Sequence, residues 1–133
     1  MDEALPLPPA KPKEKSTILV VDDQFMARWL VSEFLREHGY KVVEAVDATE
    51  AMGLAGSGMS IDAVFTDVQL GSGPNGHEVA RWFAKHRPTI PVLLTSGADD
   101  GKTTPRGKLR QFVPKPYDLA QVEQLLRAML EPE

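Results

Sequence analysis

Two adjacent carboxylates, Asp22 and Asp23, follow an apolar, β-branched run at 17–21. A third, Asp67, closes another apolar run at 61–66. Thr95 and Ser96 end a run that begins at 90, and Lys115-Pro116 follow a run at 109–113. If these runs are neighbouring strands, three carboxylates, a hydroxyl and an ammonium converge from distant parts of the chain. Three carboxylates in one crevice repel, and each raises the pKa of the others. A hard divalent cation removes that conflict. Oxygen-rich sites suit Mg²⁺, Mn²⁺ or Ca²⁺, and Mg²⁺ takes one or two carboxylates, keeps waters and bridges to phosphate. A carboxylate can also attack phosphorus and become an aspartyl phosphate. Lys115 can then neutralise a phosphoryl oxygen as a point charge, and the Thr95 hydroxyl can donate to another. Taken singly, each residue has a plainer use. Asp22 and Asp23 can cap a helix, Asp67 can start a turn, Thr95 and Ser96 can end a strand, and Lys115 can be a solvated surface lysine. Only in combination do they point to one chemistry.

The elements that must position these groups alternate in type. Residues 17–21 read as a buried strand. Phe25, Met26, Trp29, Leu30, Phe34 and Leu35 then recur at helical spacing, and the Trp29 and Phe34 stripe is predicted to be core. Gly39 sits where a glycine ends a helix. A strand follows at 40–45, then a short helix marked by Ala48, Ala51, Met52 and Ala55, stopped by Gly56 and Gly58. The third strand is 61–66. A helix with Val79, Trp82 and Phe83 is closed by Pro88, and the fourth strand is 90–95. The stretch 97–108 holds Gly97, Gly101, Pro105 and Gly107, so the fourth helix is expected to be short or frayed. A fifth strand at 109–113 precedes a last helix marked by Leu119, Val122, Leu125, Leu126 and Met129. Strand–helix alternation implies a parallel sheet covered on both faces. The expected fold is α/β, a doubly wound five-stranded parallel sheet of order 2-1-3-4-5, flavodoxin-like. Such sheets bind ligands beyond the carboxyl ends of the strands, at the switch point between the first and third.

The whole chain has 133 residues, 42% hydrophobic and 26% charged, which suits one globular domain. Fifteen basic against nineteen acidic residues leave a net charge of −4, a poor balance for holding a phosphate backbone. No nucleic-acid partner is expected. There is no cysteine, hence no disulfide framework and no thiolate metal site. No apolar run approaches the roughly 18 residues that span a bilayer, and the first residues lack a signal-peptide pattern. No membrane association is expected, and the expected location is cytoplasmic. Residues 1–16 carry Pro6, Pro8, Pro9 and Pro12 with mixed charge, and are expected to form a flexible tail.

Beside these readings stands a resemblance. Ile18-Leu19-Val20-Val21-Asp22-Asp23, Thr66-Asp67, the run from Pro91 through Thr95-Ser96-Gly97, and Lys115-Pro116 together resemble the receiver domain of bacterial two-component response regulators. The resemblance covers residues 17–131 as the receiver domain, after the tail. It implies that Asp67 is the phosphoacceptor for a sensor histidine kinase. It implies that Asp23, Asp67 and the backbone carbonyl of Gln69 bind Mg²⁺, with Asp22 helping through water. It implies that Thr95 and Lys115 contact the phosphoryl oxygens, that Phe112 is the aromatic switch residue, and that the Lys115–Pro116 bond is cis. The protein is expected to be no enzyme beyond its own phosphorylation and dephosphorylation. The chain departs from the family at Gly71 and Asn75, where a proline and a glycine are usual, and Gly76 comes one residue late.

A competitor of another class is Gly71-Ser72-Gly73-Pro74-Asn75-Gly76, which matches G-x-G-x-x-G with Asp99 and Asp100 downstream, as a dinucleotide fingerprint asks. Against it, four residues separate the strand from the glycines, Pro74 removes an N–H that a phosphate cradle uses, and it leaves Asp22, Asp23 and Lys115 without a role. His38, His77 and His86 show no ligand spacing and are assigned no metal. The expected function is a stand-alone phosphorylation switch in a phosphorelay, acting on a downstream protein target or exchanging with a histidine phosphotransfer protein. The alternatives are a phosphate sink or relay shuttle without its own output, and the receiver module of a hybrid kinase.

Overall fold

A computed structural model describes residues 16–98, 107 and 109–131. The expected tail, save Ser16, lies outside the described residues, as do Asp99, Asp100 and most of the segment 97–108. Five strands, β1 (Thr17–Val21), β2 (Lys41–Ala45), β3 (Ala63–Asp67), β4 (Val92–Ser96) and β5 (Arg110–Pro114), form one sheet of order β2-β1-β3-β4-β5. All four pairings are parallel. The described helices are α1 (Phe25–Glu37), α2 (Ala48–Gly56), α3 (Gly76–His86) and α4 (Leu119–Leu130).

Parallel strands buried on both faces need apolar residues at every position, not at alternate ones. The segments TILVV, AVF and VLL supply them. Alternate residues then feed two cores. Leu19, Val21, Val64, Val92, Leu94 and Phe112 pack with α2 and α3. Ile18, Val20, Ala63, Phe65, Leu93 and Val113 pack with α1 and α4.

The strand ends differ from expectation by one or two residues. Ile61 and Ile90 are buried apolar residues that precede pairing rather than join it, and pairing runs on to Asp67 and Ser96. Apolar character records burial, whereas strand limits record the ladder.

A second correction concerns α1. Trp29 is not core: Phe25, Met26, Trp29 and Leu30 are between 44% and 62% exposed, and Phe34 is only partly buried. The buried side of α1 is Val31, Ser32 and Leu35. Trp29 lies two residues from Val31, about 200° round the helix. The helical period is satisfied by either face, and contact with β1 selects the one carrying Val31 and Leu35. At the helix end, Gly39 adopts φ 93°. The Gly39 N–H donates to the Arg36 carbonyl and the Tyr40 N–H to that of Leu35, closing the helix in a Schellman turn.

Candidate functional site

The alternation that builds the α1/α4 core also builds the site. The rows Ile18-Val20, Ala63-Phe65, Leu93 and Val113 are continued, two residues further on, by Asp22, Asp67, Thr95 and Lys115. Side chains two apart on a strand share a face. All four groups therefore lie on the α1/α4 side of the sheet at its carboxyl edge, and Asp67 and Thr95 are register partners on adjacent strands. Lys115 is one residue past β5, but its N–H still donates to the Ser96 carbonyl at 3.1 Å. The Lys115–Pro116 bond is cis, as the resemblance implies.

Asp67 and Asp22 are each only 5% exposed. Lys115 Nζ bonds Asp67 Oδ2 at 2.5 Å, and the Gln69 N–H donates to Asp67 Oδ1 at 3.0 Å. The Gln24 N–H donates to Asp22 Oδ1 at 2.9 Å, so Asp22 closes a turn ahead of α1, whose own cap residue is Gln24. Burial pushes the Asp22 carboxyl above its ordinary value. The Gln24 N–H draws it back, the Asp67 charge raises it, Lys115 lowers it and the Asp23 charge raises it again. The three carboxylates are thus electrostatically linked. Thr95 Oγ1 is buried with no hydrogen-bond partner, a costly state for a hydroxyl. Asp23 and Gln69 are exposed at the mouth. Among the described residues no three His, Cys, Asp or Glu side chains are gathered to hold a metal ion by themselves. Phe112 is buried, but in the α2/α3 core, on the opposite face of the sheet from Thr95.

Two contributors, Arg28 and Tyr117, were not singled out from the sequence, and a third, Gly76, was marked there only as a displaced glycine. Arg28 reaches back from α1 to donate to the Asp22 carbonyl at 2.9 Å and to Glu44 Oε1 at 3.0 Å, fastening the acidic turn to β2. Tyr117 packs edge-on against Phe65, ring centres 5.5 Å apart. Burial, then the charges of Asp22 and Asp67, push its phenol up to about 12. Gly76 opens α3 against the Asp67 backbone: a Cβ there would lie 2.3 Å from the Asp67 carbonyl oxygen. Spacing from Lys115 was the signal for Tyr117, and the displaced glycine was the signal for Gly76. Arg28 had none.

The glycine loop is not a dinucleotide cradle. Gly71 and Gly73 take φ 78° and 100°, which carries the extra loop residue without strain, and Gly71 passes beside the Asp23 carboxylate. Asn75 and Glu78 cap α3 reciprocally, and the Gly76 N–H donates to the Val68 carbonyl at 2.8 Å. The N–H groups of Gly76 and Glu78 that would meet a phosphate are already used.

A 2-1-3-4-5 parallel sheet with its polar groups at the switch-point edge defines a flavodoxin-like, doubly wound α/β protein. Residues 18–127 match the response regulator receiver domain, and the chain belongs to that family. It is 31% identical over 120 residues to the sensor kinase CckA of Brucella abortus, covering 87% of this chain and 13% of that protein. It is 32% identical over 117 residues to the probable transcriptional regulatory protein TcrX of Mycobacterium tuberculosis, covering 86% of this chain and 49% of that one. The chain thus spans less than half the length of either of these curated relatives. The solved structure of response regulator TrrA from Thermotoga maritima, in complex with Mg²⁺-BeF, matches with a TM-score of 0.77 and 26% identity, covering 87% of this chain and all of that one.

Proposed function

We propose that this chain is a phosphorylation switch in which Asp67 takes a phosphoryl group from a sensor histidine kinase or a histidine phosphotransfer protein in the cytoplasm. The carrying observation is a buried carboxylate held by Lys115 on the same face and edge as a buried hydroxyl that lacks any partner. An orphaned hydroxyl beside a reactive carboxylate is explained if its acceptor arrives with the substrate. Asp67 then attacks phosphorus, the bond to the donor breaks, and Lys115 and Thr95 bind phosphoryl oxygens. Positioning and charge, rather than proton transfer, carry most of such a reaction.

The donor set also fits Mg²⁺, which keeps waters and takes few carboxylates. Asp23, Asp67 and the Gln69 carbonyl would hold it, with Asp22 through water. When bound, it supplies positive charge against the phosphoryl oxygens. The TrrA complex with Mg²⁺-BeF supports that assignment. The donor's surface follows from the same placement. Phe25, Met26, Trp29 and Leu30 form an outward apolar face that starts two residues after Asp23, beside the mouth, and a patch of this kind marks an interaction site. Residues 17–131 would fold as the receiver unit. The match to CckA favours a second reading, the receiver module of a hybrid kinase.

Intact mass after incubation with acetyl phosphate and Mg²⁺ tests the reading. One phosphoryl adduct is expected on the wild type and none on Asp67→Asn. An adduct that survives in Asp67→Asn refutes the acceptor assignment.

A further inference from the structure

Among the described residues, one stripe of α1 stays open to solvent along the length of the helix. Its first half is Phe25, Met26, Trp29 and Leu30, all exposed. Its second half is Glu33 and Glu37, the first partly exposed and the second fully so. Steps of about one turn keep all six on the same side of the helix. Arg36 lies between the two acids and is already bridged to Glu33 and Glu44. The stripe is thus apolar toward the carboxyl edge of the sheet and acidic toward the amino edge, where the end of the helix adds partial negative charge.

The residues ahead of Ser16 repeat that division in the same order. Leu5, Pro6, Leu7, Pro8 and Pro9 form an apolar run, and Lys11, Lys13 and Lys15 follow with Glu14 among them. The junction suits the pairing. The Lys41 N–H donates to the Ser16 carbonyl at 3.2 Å, so the chain enters β1 beside the start of β2, just past the end of α1. The lysines therefore lie next in sequence to the acidic end of the stripe. A proline-rich run extends by about 3.1 Å per residue, so residues 5–12 reach roughly 22 Å. With 13 residues, α1 is about 20 Å long. Residues 13–15 are left to carry the chain from β1 to the helix.

We propose that residues 5–15 lie along this stripe, parallel to α1, with Leu5 to Pro9 on the aromatic half and the lysines beside Glu33 and Glu37. Proline-rich segments dock on aromatic-lined surfaces in such an extended form. Tethering supplies an effective concentration of about a millimolar, so a contact of only millimolar affinity is closed about half of the time. The inference goes beyond the phosphoacceptor reading. A donor protein that used the same face would have to displace the segment, whereas acetyl phosphate would not.

The chain has no cysteine, so Ala4→Cys takes a single nitroxide spin label at the far end of the segment. Amide signals of the isotope-enriched full chain then report which residues the label approaches. A docked segment puts the label beside Phe25 and Met26, whose signals should lose about half of their intensity. An undocked one averages about its attachment, with an r.m.s. length of roughly 20 Å, and dims Thr17, Glu37 and Lys41 first. Leu5→Ser with Leu7→Ser in the labelled chain, both ahead of β1, should restore the Phe25 and Met26 signals. A loss strongest around Thr17 overturns the proposal, as does a loss at Phe25 and Met26 that survives Leu5→Ser with Leu7→Ser. So does a loss that appears when spin-labelled chain is mixed with isotope-enriched chain lacking the label, which would seat a second copy's segment on the face. No phosphoryl donor enters these measurements, so their failure leaves the Asp67 assignment standing, and an adduct on Asp67→Asn leaves this inference standing.

Discussion

Replacing Gly76 with alanine should damage the protein in two measurable ways. The added Cβ would lie 2.3 Å from the Asp67 carbonyl oxygen, 2.8 Å from Val68 Cα and 3.0 Å from the Asp67 carbonyl carbon. All three are backbone atoms, so no side chain can rotate away. Ordinary contact requires a retreat of about 1 Å, either of the acceptor loop or of the start of α3. Overpacking of this sort costs about 1–3 kcal/mol, only partly offset by the ~0.5–1 kcal/mol that alanine gains over glycine in a helix. In a domain this size the net cost is a fall of up to roughly 10 °C in Tm. A shift of about 1 Å in a reacting group can cost on the order of 100-fold in rate, so phosphorylation by acetyl phosphate should slow by about that factor when the loop yields. Gly53→Ala is the control. It lies inside α2, where a Cβ meets nothing within 4 Å, and it should stabilise by ~0.5–1 kcal/mol. Urea denaturation and the rate of adduct formation give both readouts. If Gly76→Ala is as stable as the wild type and phosphorylates at the same rate, Gly76 is not what seats the acceptor loop.

Thr95→Val removes a buried hydroxyl that bonds to nothing. It should leave stability level or raise it by about 1 kcal/mol while abolishing any phosphorylation-dependent change in partner affinity; a clear loss in urea stability would show that the hydroxyl has a partner. Trp29→Ser with Leu30→Ser removes half of the outward α1 face. The ratio of phosphotransfer from a kinase to that from acetyl phosphate should fall at least about tenfold, as for an interface anchor worth roughly 2 kcal/mol, and an unchanged ratio would place the donor elsewhere. The Tyr117 phenol, raised from 10 to about 12 in the folded state, ionises first in the unfolded chain. The stability tied to its neutral form is complete below pH 10 and is lost as pH rises toward 12. Urea midpoints over that window should fall more steeply for the wild type than for Tyr117→Phe, and parallel slopes would refute the shift.

The acids, the hydroxyl and the lysine were legible because of how a parallel sheet is written. Strands buried on both faces are unbroken apolar runs, so a polar residue that ends one is conspicuous. Asp67 and Thr95 stood out in this way, and the alternation with helices implied a parallel sheet, for which 2-1-3-4-5 was the economical order. What the sequence hid depends on geometry that no local pattern carries. Trp29 has the right period for a core residue and the wrong azimuth. Arg28 is an ordinary helical arginine until β2 brings Glu44 beside it. Gly76 reads as one glycine among several in its loop, and only the path of the Asp67 backbone makes it irreplaceable. Tyr117 gains its place from Phe65 on β3, 52 positions earlier in the chain.

Sheet parity also constrains how a phosphorylation signal can leave the site. Thr95 and Lys115 lie on the α1/α4 face, whereas Phe112 packs on the α2/α3 face in register with Leu94. In the described state Thr95 and Phe112 thus start on opposite faces of the sheet. The edge of the sheet itself offers a route between them. The Val68 N–H donates to the Thr95 carbonyl and the Lys115 N–H to that of Ser96, so the ends of β3, β4 and β5 are tied together. One hydrogen bond to a charged group contributes about 1.5–3 kcal/mol, while a near-complete shift between two states needs about 5.5 kcal/mol. A phosphoryl group that engaged Thr95 alone would leave the switch half thrown. Drawing Lys115 off the bare carboxylate at the same time would act on the neighbouring strand end, and with Phe112 as the switch residue the two pulls would reach it from both β4 and β5. In this reading Lys115 serves as both the charge that receives the phosphoryl group and the second anchor through which its arrival is felt across the sheet.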